Sequence, residues 1–534
     1  MPAIARPSAR RLTCKDPRVV ENYITRYEKS AKKFDLQQKV TSLLAQASYP
    51  LSPDLQQTYK NLDNLHRKIT AEAERKCHKL RIGQVAFSPA LQEVNLQISA
   101  YTLLKKKCLG LRVSSRIFSQ SLRKANLSKE SYALDPKTID SKLKESRLIK
   151  EYKERELQLS IARKVRYIRG KVRSGSTTLV QLSNWEGGTI DYVQKQDIER
   201  EILQSNEDKF KQSHHRPFYH SPLKNLFGWK GTTYASKLVL SRAYEPDNDI
   251  LAREVALLLA LQQPNNIHLL SNNEMVIYIQ EYKSFWRKAK ETTSCYPNEL
   301  SFIAMKAGAC SDLIAAIECN LANILIKTGY SPKRWKNCLD LMILKKSGLN
   351  SLNSLQTVVL FPVDFNFMFK NLGRKIMKNA EVSKALAPEH FGSRKCQRAR
   401  ALANNKSFTY DLMRQLNHTG AACSNDAKSC YGLIGHTQAS LAMQHMGIPQ
   451  AVVDCMFSTL QEAAHRVRTG YGDSSSYYGG KVWAIPIHGI GQGNGAGPTI
   501  WAIVMPLLNI LRDRGYGMDY VTLRPPTNDA LQEL

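Results

Sequence analysis

A chain of 534 residues that is 43% hydrophobic and 8% aromatic carries enough apolar material for buried cores, and its length allows several domains. Its 77 Lys and Arg oppose 46 Asp and Glu, a formal net charge of +31. That charge points to a polyanionic partner, nucleic acid first, with an anionic membrane surface as the second option.

Cysteine usage narrows the class further. The eleven cysteines include no C-x-x-C pair, so a zinc ribbon or knuckle is not indicated, and their odd number in apolar surroundings fits reduced core thiols in an intracellular, nuclear or cytoplasmic protein. The first residues, MPAIARPSARR, lack the apolar core of a secretory signal, although their basic, Ser-containing character keeps a mitochondrial-transit reading open. No run reaches the ~18 apolar residues of a membrane helix, so the expectation is a protein with no membrane partner. The sequence leaves the oligomeric state open.

In chain order, residues 18–34, 53–80 and 90–104 space their apolar residues by three and four, which predicts helices. The strongest basic stretch, 141–173, has twelve Lys and Arg against four Glu, with leucines and isoleucines running through it. A solvated helix face with i,i+4 pairs, Lys150 with Glu154 among them, explains part of that charge. The surplus after Ala162 favours a phosphate-tracking role for Lys164, Arg166, Arg169, Lys171 and Arg173. The Gly/Ser/Thr-rich segment 170–188 reads as a break, 196–210 as another charged helix, and 214–231 as irregular. Beyond about residue 297, helical runs alternate with short apolar strands such as 357–361, so the fold class is α+β. The expected domains are a basic helical arm and connector (1–175), a helical linker region (176–296) and a mixed domain (297–534).

Two segments of that last domain carry chemistry. Nucleotidyl transfer with two metals needs carboxylates that hold cations about 4 Å apart, and a flexible glycine-rich element near the nucleotide. In CSNDAKSCYGLI (423–434), Asp426 follows a short apolar segment and precedes Tyr431 by five residues. Taken alone, Asp426 reads better as the N-cap of a helix beginning near Ala427. In PIHGIGQGNGAGPTIW (486–501), Gln492 and Gly493 lie among five glycines. The same run fits G-x-G-x-x-A with Asp513 downstream, a dinucleotide fingerprint, but no βαβ pattern follows it.

These two segments resemble, in order, the first metal-binding motif and the G-x-x-Q-G-x-x-x-S-P motif of the palm of reverse transcriptases. Further blocks extend the resemblance. GYSPKRWKNCLDLMILKKSG (329–348) with SLQTVVLFPVDFNFMFKNLGRKIM (354–377) is similar to the fingers, and PEHFGSRKCQRARAL (388–402) to the template-guiding block. The whole looks like the polymerase of a non-LTR, LINE-like retrotransposon of the protist and diatom type. Segments 79–89, 103–116 and 223–233 resemble the connector that precedes it.

That resemblance implies a partial right-hand polymerase, with fingers and an incomplete palm built on an antiparallel sheet. It implies RNA-directed DNA polymerase activity, a nucleotidyltransferase using dNTP, an RNA template and a DNA primer. It assigns Mg2+ or Mn2+ to Asp426 and the Ala427 carbonyl, with Asp426 catalytic. Lys345, Lys346, Tyr431, Gln492 and Gly493 would bind nucleotide, and Arg394 and Lys395 nucleic acid. The chain departs from the family at three places. Gln356 replaces an Arg and so removes a bidentate phosphate clamp, Gly432 replaces an Asp, and Gly497 replaces a Ser.

A working palm also needs paired aspartates some tens of residues after the glutamine motif. No adjacent Asp-Asp pair follows Gln492; Tyr516, Gly517, Met518 and Asp519 are only a distant likeness, better explained by a turn after a helix at 499–512. The expectation is a truncated copy that binds nucleic acid with little or no polymerase activity, because one Asp leaves transition-state charge uncompensated. The alternative is a non-catalytic basic nucleic-acid-binding protein.

Overall fold

A computed structural model describes residues 12–77, 89–127, 134–172, 180–183, 189–211, 217–247, 249–297, 300–345, 351–386, 390–394, 397, 399–418, 430–480, 487 and 489–511. The chain forms two compact units. One comprises residues 8–27 and 72–176; the other comprises 1–7, 28–71 and 177–534.

The first part of the chain is helical: α1 (Pro17–Lys33), α2 (Leu36–Gln46), α3 (Pro53–Arg75), α4 (Pro89–Cys108), α5 (Ser115–Lys124) and α6 (Pro136–Val172). Each expected helix forms close to its predicted bounds, except that α3 stops at Arg75 and residues 78–88 lie outside the described ones. In the smaller unit, α4, α5 and α6 close a core of Ala100, Tyr101, Leu104, Phe118, Leu122, Ile139 and Leu143. Those residues recur at three- and four-residue spacing on each helix, which puts them on one face and leaves the basic residues outside. Counted over 8–27 and 72–176, this unit holds 30 Lys and Arg against 12 Asp and Glu. A net +18 of the chain's +31 thus sits on under a quarter of its length.

The larger unit continues with a hairpin, β1 (Val180–Ser183) and β2 (Thr189–Tyr192), and then α7 (Lys195–Phe210). The region 214–231, expected to be irregular, contains α8 (Leu223–Phe227) in its described part, where Leu223 and Phe227 are fully buried and anchor the turn. Short helices follow: α9 (Tyr234–Leu240), α10 (Ala252–Ala260), α11 (Asn272–Met275), α12 (Ile279–Lys288), α13 (Phe302–Gly308) and the apolar α14 (Asp312–Thr328).

A small sheet then organises what comes next. Strands β3 (Asn337–Leu344) and β4 (Leu355–Leu360) form an antiparallel hairpin with Ile343 opposite Gln356. Among the described residues, five helices intervene: α15 (Val363–Val382), α16 (Ala399–Gln415), α17 (Cys430–Leu433), α18 (His436–His445) and α19 (Gln450–Gln461). Strand β5 (Ala464–Thr469) returns parallel to β3, and β6 (Gly472–Asp473) and β7 (Tyr478–Gly479) add to β5 antiparallel. The sheet is therefore mixed, not antiparallel throughout as expected. Strand β4 carries the chain back to the end where β3 begins, and the helical connection passes to the other side of β3, so β5 starts at that end and runs parallel to β3. The last described element is α20 (Gly497–Leu511).

Helix α7 lies against β5 and β7, and the joint core contains Ile198, Ile202, Phe210, Met342, Leu355, Val467, Tyr478 and Ile487. Beside the sheet, the Arg334 guanidinium is held by the carboxylates of buried Asp63 and half-buried Asp364. It donates to Asp63 at 2.7 and 2.8 Å and to Asp364 from Nη1 at 2.9 Å, while the Trp335 indole N–H donates to Asp364 at 2.8 Å. Among the described residues, no helix is long and apolar enough to cross a membrane.

Candidate functional site

Two chain segments meet beside β4. Helix α17 ends in a tight passage to α18, and residues 489–497 fold back onto it. The Gly489 amide donates to the Ile434 carbonyl at 2.9 Å, and the Ile490 amide to the Tyr431 carbonyl at 2.8 Å. On the other side, the Val359 amide of β4 donates to the Gln492 carbonyl at 2.7 Å. Helix α15 contributes Asn366, whose side-chain oxygen accepts from the Gly495 amide at 3.1 Å. The loop is thus held from three directions, mostly through its backbone, which explains why its side chains can be small.

Two glycines in it are obligatory. Gly489 has φ +87°, and a Cβ there would lie 2.7 Å from the Gly432 carbonyl oxygen; Gly493 has φ +130°, and a Cβ would lie 2.1 Å from that of Val359. Only a residue without a side chain fits either place. The departure at Gly432 has a related cause. Its Cβ position is 2.9 Å from the Phe210 ring, so α7 occupies the space an Asp would need. At Gly497 the nearest atoms, on the Tyr431 ring, are 3.7 and 3.8 Å away, and a serine Cβ would make only an ordinary contact there.

His436, the first residue of α18, braces this arrangement. It is fully buried, and burial drives its imidazole down to about 4 despite the hydrogen bond to Gly489. The neutral ring therefore donates from Nε2 to the Gly489 carbonyl oxygen at 2.8 Å.

The junction opens a cleft enclosing about 720 Å³ of space, part of it open to solvent. Lys345, Gln356, Tyr431 and Gln492 all line it, together with Lys209, Phe210, Leu355, Thr357, Val359, Cys430 and Gly432. Lys345 sits just past β3, its amide donating to the Ser354 carbonyl at 3.2 Å; its side chain is exposed, whereas Gln356, Tyr431 and Gln492 are half-buried. Burial pushes the Tyr431 hydroxyl up, so it stays neutral and can donate or accept.

Of the residues singled out from sequence, the structure thus brings Lys345, Tyr431 and Gln492 together, with Gly493 beside them in the loop. Arg394 is not among the lining residues. Its guanidinium makes a bidentate pair with Glu381 of α15, with both distances 2.8 Å. Asp426, Ala427, Lys346, Lys395 and Arg173 lie outside the described residues. So do the side chains of Lys164, Arg166, Arg169 and Lys171, whose backbone belongs to α6. Among the described residues, no group of three or more His, Cys, Asp and Glu side chains could hold a metal ion.

Sequence reasoning found α7 as a helix but missed its place at the cleft. Lys209 and Phe210 reach the cleft from a helix that reads only as charged and amphipathic, and nothing in its spacing announces a partner more than a hundred residues away. It also missed the buried polar chain under the cleft. Asn206 accepts from the Thr357 hydroxyl at 3.3 Å, and the Tyr478 hydroxyl donates to the carboxylate of Asp340, which also meets His465 Nδ1 at 3.0 Å. The Phe210 ring stacks on Tyr478, with centroids 6.0 Å apart and planes 3° from parallel. One wall of the cleft is therefore fixed by a fully buried hydrogen-bonded network.

A scan of the chain against protein-family models finds no match, and a search among curated proteins finds none.

Proposed function

We propose that this chain is the fingers and part of the palm of an RNA-directed DNA polymerase of the non-LTR retrotransposon type, with a dNTP as the small ligand of its cleft. One observation supports the reading most. Lys345, Gln356, Tyr431 and Gln492 come from three separate segments and line a single cleft.

The chemistry of that cleft suits a nucleotide. Two lysines can meet phosphate oxygens, two amides can meet polar edges of a base or sugar, and the rings of Tyr431 and Phe210 offer apolar walls. No Asp or Glu is found among its described lining residues. Mg2+ or Mn2+, held by Asp426 and the Ala427 carbonyl, would supply charge stabilisation at the transferring phosphate. The described residues make no metal site; what they do is bind and orient. With Asp426 as the one assigned metal carboxylate, the expected activity is weak or nil.

The second reading, a non-catalytic basic nucleic-acid-binding protein, is favoured by the charge of the smaller unit. Primer extension on an RNA template with Mg2+ or Mn2+ separates the two. Extension by the wild type that disappears in Asp426→Ala establishes the polymerase. Without extension, dNTP binding that needs both the metal and Asp426 still supports the polymerase reading. Metal-independent binding of nucleic acid alone, unaltered in Asp426→Ala, leaves the second reading.

A further inference from the structure

Resting on the nucleotide reading of the cleft, we infer that Lys209 of α7 is a phosphate-binding residue that takes the place of the arginine absent at position 356. The resemblance to a polymerase carries no assignment for α7. The structure nevertheless puts its last turn in the cleft wall, with Lys209 and Lys345 both lining the space next to Gln356.

Core packing fixes the position. Ile198 and Ile202 bury α7 in the core, Asn206 reaches Met342 and Thr357, and Phe210 stacks on Tyr478. Residue 209 is thereby held at the cleft, where its half-buried stem carries the ammonium 5.5 Å from the Phe210 ring centroid. A bound anion in the cleft would meet two cations from separate elements, Lys209 from α7 and Lys345 from the hairpin.

A clamp of this kind makes a specific demand. A lysine is a compact point charge, and removing one such charge from a phosphate chain costs about ten-fold in affinity. Gln356, opposite Ile343 on β4, cannot supply that charge, but an arginine there could.

The test uses the full chain and two fluorescent probes, mant-dATP and mant-dAMP, titrated against wild type, Lys209→Gln, Lys209→Arg and the double variant Lys209→Gln with Gln356→Arg. Wild type should prefer the triphosphate. Lys209→Gln should weaken the triphosphate about ten-fold and leave the monophosphate within about two-fold. Lys209→Arg should hold the wild-type affinity, and Gln356→Arg should restore what Lys209→Gln removes. Thermal unfolding of each variant accompanies the titrations. Triphosphate binding by wild type that Lys209→Gln leaves intact overturns the inference while sparing the reading of the cleft. Equal weakening of both probes with a lowered Tm also overturns it, since that marks a structural role. No triphosphate binding by wild type overturns the reading and the inference together.

Discussion

The Val359 amide donates to the Gln492 carbonyl at 2.7 Å, so the glycine loop is bonded to the same strand that carries Gln356. Backbone from residues 489–497 lies in van der Waals contact with β4, and this closeness is what brings the two glutamines into one cleft. Gly493 is the residue on which it depends. Gly493→Ala would force a Cβ into the Val359 carbonyl at a φ that L residues rarely adopt. It should cost about 2 kcal/mol or more and abolish dNTP binding at the cleft. Chemical denaturation and nucleotide titration check it, and wild-type values in both would dismiss the close approach.

His436 makes stability depend on acid in a defined direction. Its folded value of about 4 lies below the ordinary 6.5, so between these the unfolded chain binds a proton that the folded chain refuses. The contribution is complete above pH 6.5 and drains away as the pH falls toward 4, by about 3 kcal/mol in all. His436→Leu should unfold more easily at neutral pH, because the Gly489 carbonyl loses its donor, yet show a shallower acid dependence across that window. Denaturation midpoints measured from pH 4 to 7 decide it; parallel curves for the two proteins would exclude the assignment.

Arg334 is flanked by the carboxylates of Asp63 and Asp364, and burial alone would push that of Asp364 up. At Asp364 that push is outweighed by the charge and hydrogen bonds of Arg334, which hold the carboxyl below its usual range. Arg334→Met leaves Asp63 and Asp364 facing each other without a cation and should destabilise by about 3–5 kcal/mol. Replacing all three with apolar residues of similar volume should recover much of this. A single variant as stable as wild type in urea would refute the account.

For the basic arm, salt is the probe. Changing Lys164, Arg166, Arg169, Lys171 and Arg173 to Gln should weaken binding of single-stranded RNA without altering dNTP affinity. Each RNA phosphate that these side chains no longer neutralise should lower the slope of log K against log salt by about 0.7. An unchanged slope would place the phosphate-binding surface elsewhere.

Periodicity and composition by themselves determined the first helices and the basic character of the first third, while Lys345, Tyr431 and Gln492 were singled out by the resemblance that their motifs carry. These properties are local: an amphipathic repeat or a run of glycines acts on its own neighbours wherever the chain goes. Tertiary structure alone decided that Lys209 and Phe210 join the cleft, that Arg394 is engaged by Glu381, and that β5 pairs parallel to β3. Each of these joins segments that no spacing relates, and each is settled by which buried surfaces and backbone groups find partners once the whole unit closes.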